Sequence, residues 1–165
     1  MFFNPWFTES LVMKIGKINI GRGCKPFIIA EVAQSHDGSL GQAMAFIDIA
    51  ASCGADAIKF QTHIASEEST PAEPWRVKFS HQDQSRYEYW QRMSFPQEWW
   101  SLLKDRADDK GLVFLSSPFS VKAVGWLEDI GMDAWKIASG EVYNEELLDR
   151  IEKSGKPIII SSGLS

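Results

Sequence analysis

Cys24 and Cys53 are the two thiols in this 165-residue sequence. Their spacing fits no metal-binding pattern, and both read as small buried residues in a reducing cytosol. Histidine is nearly as scarce, with three in the chain, and no cluster of His, Cys and carboxylate has ligand spacing. Positive charge is in deficit: 17 Lys and Arg stand against 22 Asp and Glu, giving a net charge of −5 and a pI near 5.2. That balance excludes a nucleic-acid footprint and leaves any anionic ligand to be held by local lysines. No run approaches the ~18 apolar residues of a membrane span. The opening MFFNPWFTESLVMK lacks the basic region and clean apolar run of a signal peptide. Neither standard glycine-rich phosphate loop occurs, which disfavours a nucleotide-binding sheet and tilts the architecture towards a barrel.

What is present is a repeat of strand, polar loop, helix and glycine. The length suggests one domain, and 44% hydrophobic residues suffice for a core. Residues 14–20 alternate at period two, as in a short half-exposed strand, and Gly21-Arg22-Gly23 reads as a turn, so 1–26 is expected to be an extension with a small hairpin. Continuous apolar runs predict buried parallel strands at 27–32, 56–61, 112–117, 134–137 and 158–163. Helical spacing predicts a helix after Ser39, another over 97–110, a third after Ser120 and a fourth over 144–153. Gly54, Gly111, Gly131 and Gly155 each stand just before a strand. Such alternation implies a parallel sheet with right-handed crossovers. Residues 64–96 break the rhythm with Pro71, Pro74 and the aromatics Trp75, Phe79, Tyr87, Tyr89 and Trp90, and 86–93 suits a short helix. Ordinary βα loops have about 2–6 residues, so this is an insertion: a lid or binding loop, or an excursion without function. Most of the seven tryptophans are expected to pack core or lid.

Polar groups collect at the C-terminal end of every predicted strand: Glu31; Lys59 and Gln61; Ser116 and Ser117; Lys136, Ser139 and Glu141; Ser161 and Ser162. In a parallel sheet these ends share one edge, where open α/β sheets and barrels keep their chemistry. The pivotal stretch is Trp135-Lys136-Ile137-Ala138-Ser139-Gly140-Glu141, where a lysine lies inside an apolar strand and a carboxylate follows a tight turn. Burying an ammonium is costly unless it is paired or binds an anion, so the stretch is either a ligand seat or an internal salt bridge at the rim. Lys59 and Gln61 share one strand face. Two lysines and several serines make a seat for a phosphate or carboxylate, and Glu31 and Glu141 suit acid–base work or the gripping of hydroxyls. His36 and His63 also lie near strand ends and read as hydrogen-bonding residues.

Ile28-Ile29-Ala30-Glu31, Ser35-His36-Asp37-Gly38-Ser39, Gly54 through Thr62 (GADAIKFQT), Phe114-Leu115-Ser116-Ser117-Pro118-Phe119, Lys136 through Glu141 (KIASGE) and Gly155-Lys156-Pro157 through Gly163 together resemble the N-acetylneuraminate (sialic acid) synthase family, from about residue 14 onward and in family order. Synthases of legionaminic, pseudaminic and spore-coat sugars share these motifs. The resemblance implies a (β/α)8 TIM barrel that condenses phosphoenolpyruvate with an N-acetylated aldose such as N-acetylmannosamine. A divalent metal, Mn or Mg, would polarise the aldehyde. On matching positions, Lys59, Gln61, Ser117, Lys136, Ser139 and Ser161 would hold phosphoenolpyruvate. Glu31 would bind the amino sugar, Glu141 would handle water or a proton near C2, and Phe119 would wall the pocket. Ser35 and Asp37 stand where the family loop has Asn, and Ser117 and Ser162 where threonine is common, which keeps hydrogen bonding but leaves the exact sugar open.

Such a barrel takes about 250 residues. Residues 27–165 are therefore expected to be the first part of the synthase barrel, with about five strands, and the family's metal-binding histidines and C-terminal antifreeze-like domain lie beyond them. The resemblance implies a cytoplasmic homodimer when whole, with no nucleic-acid or membrane partner, and an inactive isolated chain. Open edges in a five-stranded sheet would invite association or disorder. Rival readings are another phosphoenolpyruvate-condensing barrel, a Schiff-base aldolase using Lys136 or Lys59, and a non-catalytic chain.

Overall fold

The computed structural model describes residues 12–163. The expectation of an irregular start without a leader falls largely on residues 1–11, outside the described residues. Strands β1 (Met13–Ile15) and β2 (Ile18–Ile20) form an antiparallel hairpin. The single strand expected over 14–20 is thus broken in two. Gly16 takes φ +56°, a left-handed conformation that glycine adopts without steric cost, and the chain doubles back there.

Five parallel strands then alternate with helices. They are β3 (Ile29–Ala33), β4 (Ala57–Thr62), β5 (Val113–Pro118), β6 (Trp135–Ile137) and β7 (Ile158–Ile160). Helix α1 (Leu40–Ser52) links β3 to β4; α2 (Ala65–Glu68), α3 (Arg86–Met93) and α4 (Gln97–Asp109) lie between β4 and β5; α5 (Val121–Asp129) precedes β6 and α6 (Glu145–Glu152) precedes β7. Strands β3, β4 and β5 form one parallel ladder, and β6 and β7 form a second that lies against β5. This is the expected α/β organisation of parallel β–α units. The caps agree with the sequence: Ser39, Ser120 and Asn144 each accept a backbone N–H of the first turn, at 3.2 Å. Gly54, Gly111, Gly131 and Gly155 have φ between +64° and +77°, as the turns out of four helices require.

The period of two along the strands assigns each face a task. One face, with Ile58, Phe60, Phe114, Trp135 and Ile137, packs against helix residues such as Ala43, Ile47, Trp100, Leu103, Leu127 and Leu147 to make the main core. On the other face, the strand starts Ala57, Val113 and Ala134 and the mid-strand Leu115 meet Ile15 of the hairpin in a second, smaller cluster. Burying Ile15 stabilises this end by on the order of 2 kcal/mol. Apolar packing thus closes the N-terminal end of that face, and its C-terminal end is left to Glu31, Lys59, Gln61, Ser117, Lys136 and Ser161.

Two expectations need correction. Cys53 is exposed and Cys24 partly so, because Cys53 caps the surface end of α1 and Cys24 lies in the loop after β2. The last strand ends at Ile160 instead of running to 163, although the Ser161 N–H still donates to Ile137 O at 3.1 Å. Among the described residues no helix is long and apolar enough to cross a membrane.

Candidate active site

Lys59 sits in the middle of β4, in register with Glu31 of β3, and only 6% of it is exposed. Its Nζ lies 2.5 Å from Glu31 Oε2, so its charge is met on the sheet. Lys136 of β6 is treated differently. Its Nζ donates to Ile137 O at 2.8 Å and to Ser161 Oγ, and no carboxylate pairs with it among the described residues. Burial pulls its ammonium below the ordinary lysine value; the nearby charge of Lys59 lowers it further, and Glu31 opposes. The two lysines therefore feel one another, and Glu31, Lys59, Lys136 and Ser161 form one electrostatic cluster at the strand ends.

The rim salt bridge considered for Lys136 and Glu141 does not form. A 3-10 turn at Ser139–Glu141 carries the carboxylate away from the strand, and Glu141 Oε2 accepts from Asn144 Nδ2 at 2.8 Å. Ser139 opens that turn, apart from the hydrogen bonds of the lysines. Ser117 is buried on β5 beside Gln61, its register partner. The neighbouring pair, Thr62 and Ser116, share a hydrogen bond of 2.7 Å on the opposite face and serve the core side.

A cleft of about 560 Å³ opens beside Gln61 and Glu141, and neither lysine, Glu31, Ser117, Ser139 nor Ser161 is among its lining residues. Gln61, Phe119 and Glu141 line it. His63, Trp90, Arg86, Glu67, Glu68 and Asn144 complete it. His63 is 3% exposed and clamped between Trp90 and Phe119, with ring centroids 3.9 and 4.1 Å away and planes nearly parallel. Its Nδ1 lies 2.6 Å from Glu68 Oε2, its Nε2 faces Gln61 Oε1 at 3.4 Å, and Glu68 Oε1 also accepts the Ile64 N–H at 2.6 Å. His63 thus ties the end of β4 to both helices of the insertion. Arg86 is bound to Glu73, which also takes the Ser69 hydroxyl.

His36 is wholly buried and lies against Phe95, with ring centroids 4.3 Å apart. Burial pushes its pKa down to about 4, with Asp37 opposing and His63 adding to the fall, so it stays neutral at physiological pH. Its Nδ1 accepts the Gly38 N–H at 3.1 Å, which makes it a loop-fixing residue. No group of three or more His, Cys, Asp or Glu among the described residues could hold a metal ion.

Sequence reasoning did not single out Arg86, Glu67, Glu68 or Asn144 for the cleft. Asn144 had a legible signal as a helix cap. Trp90 belonged to the aromatic insertion, but its place over His63 follows from how that insertion folds. There Trp75, Phe79, Tyr89 and Trp90 pack edge to face, with successive centroids 4.9–5.0 Å apart, and Arg92 holds Asp83 through two nitrogens at 2.9 and 2.7 Å.

Comparison with known proteins gives this site its kinship. A family model described as the NeuB family matches residues 46–165. A pseudaminic acid synthase of Campylobacter jejuni is 36% identical over 156 residues, which cover 93% of this chain and 45% of that protein. The N-acetylneuraminate-9-phosphate synthase of Homo sapiens is 31% identical over 141 residues, 84% of this chain and 39% of that protein. Among solved structures, an N-acetylneuraminic acid (sialic acid) synthetase from Leptospira borgpetersenii, crystallised with citrate, superposes with a TM-score of 0.78 at 32% identity, over 94% of this chain and 51% of that one. The chain thus spans about half the length of its relatives, or less. With a family model matched over most of its length, the chain belongs to the NeuB family of sialic and nonulosonic acid synthases.

Proposed function

We propose that residues 27–165 form the first five β/α units of a synthase barrel, with 1–26 as an N-terminal extension. The whole protein, a cytoplasmic homodimer, condenses phosphoenolpyruvate with an N-acetylated aldose. Carbon 3 of phosphoenolpyruvate forms a C–C bond to the aldehyde carbon, and the aldehyde oxygen takes a proton. Water adds at C2 and gives up one proton, which balances the one taken by the aldehyde oxygen; the bond from C2 to the phosphate oxygen then breaks, its electron pair and the second proton of the water leave with phosphate, and C2 becomes a ketone.

Lys136 is the observation that supports this most. An ammonium drawn out of water beside a second lysine, with a hydroxyl and a carbonyl as its partners, is stabilised when an anion arrives. Lys59 and Lys136 would share the phosphate and carboxylate of phosphoenolpyruvate, with Ser161, Ser117 and Ser139 donating hydroxyls. Gln61 would orient the ligand from the floor of the cleft. Glu141, held by Asn144 at the cleft wall, suits the proton leaving the attacking water. Glu31 suits a sugar hydroxyl, which it can accept while remaining paired with Lys59. Phe119 offers an apolar wall to the sugar ring. The divalent metal implied for the whole synthase would take its ligands from outside residues 12–163.

The test is release of inorganic phosphate from phosphoenolpyruvate by the whole synthase, with N-acetylmannosamine and manganese. Release that needs the sugar supports the proposal. Borohydride trapping of pyruvate on Lys136, without phosphate release, would favour a Schiff-base aldolase instead.

A further inference from the structure

His63 is fixed on three sides. Trp90 and Phe119 stack on the ring and set its plane. Glu68 Oε2 meets Nδ1 at 2.6 Å and sets the rotation within that plane. Glu68 is anchored in turn, because its Oε1 accepts the Ile64 N–H at 2.6 Å. A carboxylate accepts, so Nδ1 carries a hydrogen, and the bond at one imidazole nitrogen decides what the other can do. The other nitrogen, Nε2, faces Gln61 Oε1 at 3.4 Å. From the loop after β3, Gln34 Nε2 donates to that same oxygen, also at 3.4 Å. Two nitrogens thus converge on one oxygen of Gln61. An amide group is planar, so holding its oxygen on this side turns its NH2 away from it. Gln61 follows Lys59 by two residues in β4 and shares its strand face. A ligand on that face meets a donor when the amide is held this way, and an oxygen lone pair when it is reversed.

From these contacts, and resting on the synthase reading above, we infer that His63 is a positioning residue for Gln61. As an imidazolium paired with Glu68, it donates to Gln61 Oε1 and keeps the amide NH2 turned towards phosphoenolpyruvate. The lysines supply charge to the anion, and the His63–Glu68 pair keeps a third group, one strand position beyond them, in its donating orientation. The insertion thereby acts on the lysine face without reaching it: α2 brings Glu68, α3 brings Trp90, and both act through one ring.

The test is phosphate release by the whole synthase with manganese and saturating N-acetylmannosamine, while phosphoenolpyruvate is varied. His63→Phe keeps the aromatic stack and removes both nitrogens. It is expected to raise the KM for phosphoenolpyruvate about fivefold and to leave kcat within about twofold. Gln61→Ala should raise KM at least as much, and His63→Phe added to Gln61→Ala should do nothing further, because the two side chains act as a unit. Glu68→Ala leaves the ring in its stack and should shift KM the same way by a smaller factor; it carries the test if His63→Phe does not fold. An unchanged KM in a variant that melts with the parent overturns the inference and leaves the synthase reading standing. So does a rise that persists in full in the Gln61→Ala background. No phosphate release by the parent enzyme overturns both.

Discussion

Lys59 and Lys136 occupy equivalent places, each inside a short parallel strand on the same face of the sheet, but the two halves of the molecule treat them in opposite ways. Around β3, β4 and the insertion the buried and half-buried cations have carboxylate partners, Lys59 with Glu31, Arg86 with Glu73 and Arg92 with Asp83 and Asp37, and His63 bonds to Glu68. Around β6, Lys136 has a hydroxyl and a carbonyl, and Glu141 an amide. Internal pairing holds a loop-rich region in one shape. Leaving an ammonium unpaired makes a receptor and lowers stability until a ligand comes. Paired charges hold the first half in shape before any ligand arrives, whereas Lys136 in the second half waits for one.

The largest effect that sharpens this contrast is on ligand affinity. Lys136→Met should weaken phosphoenolpyruvate binding by about 100-fold, the worth of a charge-assisted hydrogen bond. Its melting temperature should not fall, because a desolvated, unpaired charge is removed; calorimetry reads both quantities. A melting temperature several degrees lower would mean that Lys136 is a structural residue.

Next comes the clamp between the β3 loop and the insertion. Gly38 has φ +77°, and a Cβ there would lie 2.2 Å from Arg92 O. Gly38→Ala should cost about 2–4 kcal/mol in urea unfolding, through strain and separation of the two segments. Smaller is the rim pair. Glu31→Gln leaves Lys59 buried without its carboxylate, at a cost of about 1–3 kcal/mol, towards the lower end since the Glu31 side chain is 47% exposed.

The last effect, smallest at neutral pH, is on the pH dependence. His36 has a pKa of about 4 in the fold against 6.5 when free, so between those values the unfolded chain binds a proton that the native state does not. Stability is full above about pH 6.5, falls as the pH drops towards 4 and levels off below it. Replacing His36 by Gln should flatten that part of the profile, and a thermal melt series from pH 7 to pH 4 reads it.

Much of this was legible in the residues. The β/α order followed from apolar runs punctuated by glycines, and the strand-end cluster followed from the period of two. That period puts Glu31, Lys59, Gln61, Ser117, Lys136 and Ser161 on one face once the registers match. The partnering of the lysines was less legible. Lys136 and Glu141 are close in sequence, but a 3-10 turn sets the direction of Glu141, whereas Lys59 finds Glu31 across a strand pair. The walls of the cleft were hardest to read. Trp90 and Arg86 arrive through the fold of a long insertion whose aromatic packing leaves no periodic trace, and Cys53 looked like a core residue until the end of α1 proved to face solvent.

The most direct test of the central claim is protection of single lysines. The chain is treated with a limiting amine-acylating reagent, with and without phosphoenolpyruvate, and each lysine's modification is read by peptide mass spectrometry. Lys136, with its lowered pKa, should react readily in the free chain and be shielded by phosphoenolpyruvate together with Lys59, while Lys104 and Lys122 are unaffected. Modification of Lys136 at the same rate with and without phosphoenolpyruvate would contradict the account.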